Sequence, residues 1–237
     1  MTERLLSDIE YNYKTICDNI AKAAVDSGKS FKDITFLAAT KTVEAEFINF
    51  AISLGLDHIG ENRVQELLSK YDEYDLSRTK LHMIGHLQTN KVRQIVGKVD
   101  MIESVDSIKL AKEISDQSLK RNLSTDILVE VNIGGEESKS GISPENLEDL
   151  LYHIAKLPAI KVQGLMTIPP ICENKQKICR YFENMRKLFI DISSKKIDNI
   201  NMNVLSMGMS DDYMEAIREG ATMVRIGSAL FGARNYN

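Results

Sequence analysis

A (β/α)8 TIM barrel, built as a single domain over residues 1–237 behind a leading N-terminal helix, is the fold this sequence predicts. Three observations point to it. Short apolar runs, several of them β-branched, alternate with segments whose apolar residues recur at helical spacing, and strict alternation implies parallel strands joined by helical crossovers. Eight such pairs follow one another in 237 residues, which fits a closed barrel better than an open doubly wound sheet. No linker, low-complexity segment or internal repeat divides the chain.

The elements follow in order. Leu5, Ile9, Tyr13, Ile16, Ile20 and Ala24 share one face of an amphipathic helix that Gly28 ends. Ile34, Phe36 and the small residues after them form the first strand, which stops on Lys41. Thr42 is expected to cap a helix carrying Val43, Phe47, Ile48, Ala51 and Leu54, with Glu44 and Glu46 in its first turn. Residues 56–60 are the second strand, and 61–68 open the next helix. Residues 80–84 are the third strand, turned at Gly85, and 88–96 are helical up to Gly97. Residues 99–104 are the fourth strand, and Asp106 is expected to cap the helix bearing Leu110, Ala111, Ile114 and Leu119. Residues 126–133 are the clearest strand and open into a polar, glycine-rich loop, 134–141. Ser143 and Pro144 begin a helix buried through Leu147, Leu150, Leu151 and Ile154. Residues 161–166 are the sixth strand, and a long helix runs around Tyr181, Met185, Leu188 and Phe189. Residues 203–205 are the seventh strand. Ser210 is expected to cap the helix that Gly220 ends, and residues 222–226 are the eighth strand, after which Gly227 and Ser228 open the last helix.

Bulk properties narrow the function classes. The net charge is −4 and no basic stripe is visible, which argues against nucleic acid as a partner. Cys17, Cys172 and Cys179 are an odd count without CxxC spacing, so a reduced, cytoplasmic protein is expected. Residues 1–9 include Glu3, Arg4 and Asp8 and lack the apolar core of a signal peptide, and no stretch is long enough to span a membrane. Nothing demands a dimer, and a monomer is expected.

In a barrel of this kind the working residues stand at the carboxyl ends of the strands. Lys41, Asn62, His86, Asn132, Thr167, Ser206 and Arg225 fall there. A lysine in an apolar setting loses its proton more readily, and the neutral amine is the nucleophile that forms a Schiff base with an aldehyde. The alternative is a lysine that snorkels to solvent at a strand end. Gly227-Ser228 lies between a strand and a helix, where backbone amides favour an anion, and 206–210 is a similar small-residue turn one unit earlier. Together they suggest one phosphate site; ordinary tight turns would look the same. Arg225 shares a strand face with Gly227, so it either meets the other end of a ligand gripped there or belongs to an ion pair inside the barrel. His82 and His86 are four apart, but Gly85 breaks their strand and no cysteine or Glu motif accompanies them, so no metal site is expected. His58 and His153 read as structural or surface residues, and Met202, Met207 and Met209 as packing.

Several segments carry a specific resemblance. They are 40–42 (Thr-Lys-Thr), 59–66 (Ile-Gly-Glu-Asn-Arg-Val-Gln-Glu), 84–91, 130–141, 164–170, 205–210 and 224–228 (Val-Arg-Ile-Gly-Ser). In this order, over nearly the whole chain, they resemble the pyridoxal phosphate homeostasis protein family, also called the YggS or PROSC family. Two departures stand out: Thr40 where serine is common, and Glu103 where histidine often precedes Ser-Val-Asp-Ser. Neither is expected to touch the lysine or the phosphate loops.

The resemblance implies a fold type III barrel similar to the N-terminal domain of alanine racemase, with pyridoxal 5′-phosphate (PLP) as cofactor. Carried onto this chain, Lys41 is the Schiff-base lysine and Asn62 lies beside the cofactor ring. Ser206, Met207, Gly227 and Ser228 surround the phosphate, and Arg225 faces the pyridine nitrogen. The family is regarded as binding PLP and supplying it to other proteins, so PLP-dependent apoenzymes are possible partners. Racemases of this fold add a C-terminal β domain that the sequence does not contain, and a non-catalytic role in intracellular PLP homeostasis is therefore expected. The alternative is a small fold type III amino-acid racemase or lyase. Lys139, in the glycine-flanked loop, is a candidate to take part in PLP release, against the simpler reading of a solvated lysine balancing Glu136 and Glu137.

Overall fold

Eight parallel strands close on themselves in chain order, β1 pairing with both β2 and β8. The computed structural model describes residues 5–136, 139–172 and 174–232. The strands are β1 (Thr35–Ala39), β2 (His58–Glu61), β3 (Lys80–Met83), β4 (Met101–Val105), β5 (Thr125–Glu130), β6 (Ile160–Met166), β7 (Ile200–Ser206) and β8 (Met223–Ile226). The register at the seam pairs Leu37 with Arg225 and Ala38 with Ile226. The barrel fold is thus as the sequence predicts.

Helix α1 (Leu6–Asp26) precedes the barrel, and the crossovers are α2 (Ala45–Ser53), α3 (Val64–Lys70), α4 (Val92–Ile95), α5 (Ile108–Lys120), α6 (Leu147–Ile154), α7 (Lys175–Ser194) and α8 (Tyr213–Arg218), with α9 (Ser228–Phe231) after β8. Helix α1 buries Ile9, Ile16 and Ile20. It is tied to the far end of the chain through Asn12 Nδ2, which donates to Leu230 O at 3.0 Å, and Asn19 Nδ2, which donates to Tyr213 Oη at 3.0 Å. Among the described residues no helix is long and apolar enough to cross a membrane.

Alternation along the strands gives two cores. Phe36 and Ala38 face outward into the large cluster between sheet and helices. Leu37, Ile84 and Met223, with Ala39 and Val204 against them, form a smaller cluster inside the barrel. Above and beside that small cluster the interior turns polar: His82, Glu103, Ser206 and Arg225 are all buried.

Several boundaries differ from the sequence reading. Thr42 does not cap α2; Glu44 stands at the N-cap, and Thr42 adopts φ 62°, in the left-handed region. The turn after β1 needs two more residues than a direct hand-over allows. Segment 88–96 is a 3-10 turn, Thr89–Lys91, followed by the single turn of α4. Ser107, not Asp106, caps α5, its hydroxyl accepting the Leu110 N–H at 3.4 Å. Asp212, not Ser210, is the N-cap of α8. Strand β7 is seven residues long rather than the three expected, since its alternating exposed and half-buried positions, Ile200–Val204, form no apolar run in the sequence.

Candidate functional site at the carboxyl end of the barrel

Lys41 sits in the turn that follows β1, half-buried. It lines one small cleft together with Ala39, Val43, Gly227, Ser228 and Phe231. The first and eighth strands are neighbours only because the barrel closes, and that closure brings the lysine to the glycine–serine turn. Gly227 allows the approach: a Cβ there would lie 3.1 Å from the Ala39 carbonyl oxygen.

The turn at Gly227 and Ser228 presents backbone amides, and the structure shows what holds them. Ser210 Oγ accepts the N–H of Gly227 at 3.2 Å and of Ala229 at 3.1 Å. The turn after β7 therefore reaches the turn after β8 through Ser210. Sequence reasoning missed this role by assigning Ser210 to its own helix; the serine-rich spacing of 206–210 was the available signal.

Ser206 and Met207, expected at the phosphate, stand at the end of β7. The Ser206 hydroxyl is fully buried, donates to Glu103 Oε2 at 2.7 Å and accepts from Arg225 Nη1 at 2.6 Å. Met207 packs its side chain in the outer core, and its N–H donates to Met223 O at 3.1 Å, closing the β7–β8 ladder. Both residues are engaged inside the barrel wall, whereas Ser228 is exposed and Gly227 and Ser210 are half-buried.

Arg225 lies beneath that turn. Its guanidinium donates to Ser206 Oγ and, at 2.8 Å, to Thr167 O. Burial pulls its pKa down, and the charges of Glu103, Glu130 and Asp212 oppose that pull. Glu103 is the centre of the network. Its Oε1 lies 2.7 Å from His82 Nδ1, and because a carboxylate only accepts, the proton is on Nδ1. Burial alone would raise the Glu103 carboxyl; the hydrogen bond and charge of His82, then Arg225 and Ser206, outweigh it and hold it below the ordinary range. His82 in turn meets His58 edge to face at 5.4 Å, and His58 Nδ1 lies 2.7 Å from Asp57 Oδ1. Glu103, expected to stay clear of the lysine and the phosphate loops, binds Ser206, the last residue of β7. His82 and His86 do not converge: His82 points to Glu103, while His86 is exposed near Asp106 and Ser140.

Asn62 follows β2, and its Oδ1 is buried without a hydrogen-bond partner. Gly85 permits this crossing of loops, because a Cβ at Gly85 would lie 2.3 Å from the Asn62 carbonyl oxygen. Across the mouth, Glu130 at the end of β5 is pushed up to about 7 by burial first and by the charge of Asp106 second, with Arg225 opposing. The loop after β5 is fastened to the loop after β6: Lys139 Nζ donates to Pro169 O at 2.9 Å and pairs with Glu136 at 3.1 Å. Glu137, the other acid expected near Lys139, lies outside the described residues.

A closed parallel barrel with a lysine after its first strand and a glycine–serine turn after its eighth defines the class of the alanine racemase N-terminal domain, whose family model matches residues 34–235. Within that class the relatives are specific. A pyridoxal phosphate homeostasis protein of Aquifex aeolicus (strain VF5) is 45% identical over 221 residues, covering 93% of this chain and 96% of its own. The protein of the same name in Escherichia coli (strain K12) is 37% identical over 235 residues, covering 98% and 99%. The structure of PipY from Synechococcus elongatus PCC7942 with PLP bound superposes with a TM-score of 0.79 at 30% identity, over 92% of this chain and all of that one. The chain belongs to the pyridoxal phosphate homeostasis protein family.

Proposed function

We propose that this protein binds PLP at the carboxyl end of its barrel, with Lys41 as the Schiff-base lysine, and supplies the cofactor to PLP-dependent apoenzymes. The observation that carries the reading is the shared cleft of Lys41 with Gly227 and Ser228. The donor set suits the group: a primary amine for the aldehyde, amides and hydroxyls for the phosphate, and a guanidinium below. The buried, unpartnered Asn62 Oδ1 is a further polar atom left for a ligand to satisfy. When bound, PLP supplies an aldehyde carbon that a lysine amine can hold reversibly.

Each residue then has a task. Lys41 presents its Nζ from the turn after β1. Gly227 and Ala229 offer backbone N–H groups, now capped by the neutral Ser210 hydroxyl, and Ser228 adds an exposed hydroxyl for the phosphate. Asn62 would lie beside the ring. Arg225 would face the pyridine nitrogen and, being a fixed cation, would disfavour a proton there. Such a ring is a weak electron sink, which suits a carrier rather than a catalyst.

The test is spectroscopic and chemical. Titration with PLP should produce a visible band that borohydride removes, and peptide mass analysis should place the pyridoxyl group on Lys41. A band of unchanged intensity in Lys41→Ala sinks the assignment. One observation favours the alternative of a small racemase or lyase: Glu130 offers a carboxyl titrating near neutrality at the barrel mouth. Steady-state turnover of D- and L-amino acids by the PLP-loaded protein separates the two, and the carrier reading expects none.

A further inference from the structure

Behind the Lys41 turn lies a cluster of polar groups that cofactor contact does not require. Lys70 ends α3, and its ammonium, 12% exposed, donates to the backbone carbonyls of Thr40 at 3.2 Å and Val43 at 3.0 Å. These two carbonyls flank Lys41 and Thr42 on either side. The same ammonium pairs with Glu61 Oε1 at 2.7 Å and Glu66 Oε1 at 2.8 Å. Glu66 Oε1 also accepts the Thr42 N–H at 2.5 Å, at the residue held at φ 62°. Glu61 is fully buried and gathers Thr40 Oγ1 at 2.8 Å and Tyr74 Oη at 2.7 Å on the oxygen that already meets Lys70, while its Oε2 has no partner. Burial and the Glu61 charge keep the proton on Tyr74, so it remains a donor.

Stability alone does not account for this arrangement. A buried cluster of one cation and two carboxylates gains little over apolar packing of the same volume, and an unpartnered carboxylate oxygen is a cost. What such a cluster supplies is direction: Lys70 and Glu66 from α3 fix the carbonyl of Thr40, the amide of Thr42 and the carbonyl of Val43, while Glu61 at the end of β2 holds the Lys70 ammonium and the Thr40 hydroxyl. Every backbone group so held belongs to the four residues that carry Lys41. We propose that Lys70, with Glu61 and Glu66, is a positioning residue for Lys41, holding the 40–43 turn so that Nζ enters the cleft from one set backbone geometry. This rests on the PLP reading above. The consequence is a lower entropic cost for joining the amine to an aldehyde already held by its phosphate.

Two ligands separate positioning from binding: PLP, and 4′-deoxypyridoxine 5′-phosphate, which has the ring and phosphate but no aldehyde. In Lys70→Met the rate of borohydride-reducible adduct formation at Lys41 should fall about tenfold or more. Affinity for the deoxy analogue should stay at the wild-type value, and hydrogen exchange at the Thr42 amide should quicken. Should Lys70→Met not fold, Glu66→Gln, which alters a partly exposed side chain, should slow the adduct in the same direction without changing analogue binding. Equal losses for both ligands would reduce Lys70 to a structural role and overturn the proposal, as would an adduct rate that does not change. Failure of the wild type to bind the analogue would instead overturn the cofactor reading itself.

Discussion

Replacing Glu103 by glutamine tests the barrel interior most directly. The carboxylate accepts from two donors at once, His82 Nδ1 at 2.7 Å and Ser206 Oγ at 2.7 Å, and offsets the buried Arg225 charge. An amide can accept from only one of these, and its NH2 must face the other donor. Removing one partner from a buried charge set costs about 3–5 kcal/mol, and the similar shape of glutamine places this variant near the lower end. For a chain of this size that loss lowers Tm by about 6–12 °C. The pH dependence has a fixed sign. Folding depresses the Glu103 pKa, so its contribution is complete above the unfolded carboxylate value, about 4.3, and fades as pH falls through the folded value. Denaturant unfolding of wild type and Glu103→Gln from pH 8 to pH 3 should therefore show a gap that is widest near neutrality and narrows in acid. A gap below about 1 kcal/mol at pH 7, or one that widens on acidification, would refute the charge network as described.

Two further outcomes follow from the site. Ser228→Ala should weaken PLP by about 1.5–3 kcal/mol, roughly 10- to 150-fold in Kd, and leave pyridoxal, which lacks the phosphate, unaffected; equal weakening of both ligands would place the phosphate elsewhere. Glu130 has the opposite linkage to Glu103. Its folded pKa is raised to about 7, so between about pH 4.5 and 7 the native state holds a proton the unfolded state has lost, and stability falls as pH rises through that window. Glu130→Gln should remove that slope and stabilise the protein at pH 8 by about 3 kcal/mol. Parallel wild-type and variant stability profiles would contradict it.

What could be read from the chain and what could not divides along physical lines. Periodicity is local, so the eight strand–helix pairs were legible, and with them the placing of Lys41, Arg225, Gly227 and Ser228 at strand ends. Caps were less legible, because Thr42, Asp106 and Ser210 are all good cap residues by type, and only the path of each turn decides which residue is used. Interior neighbours were least legible. Glu103 and Ser206 are 103 residues apart, and Lys70 binds carbonyls 30 and 27 residues behind it. The polar pair Glu103 and Ser104 inside a short strand was the sign that β4 faces something polar.

Closure explains why Glu103 looked remote and is not. In an open sheet a residue answers to the strands on either side, and β4 borders only β3 and β5. In a closed barrel its inward side chains also meet strands across the axis, so Glu103, besides touching the neighbouring β3 through His82, touches β7 through Ser206 and faces Arg225 on β8. The Ser206 hydroxyl is thereby held between Glu103 and Arg225. A carboxylate on β4 thus sets the direction of a hydroxyl at the end of β7, although the two residues are 103 apart in sequence.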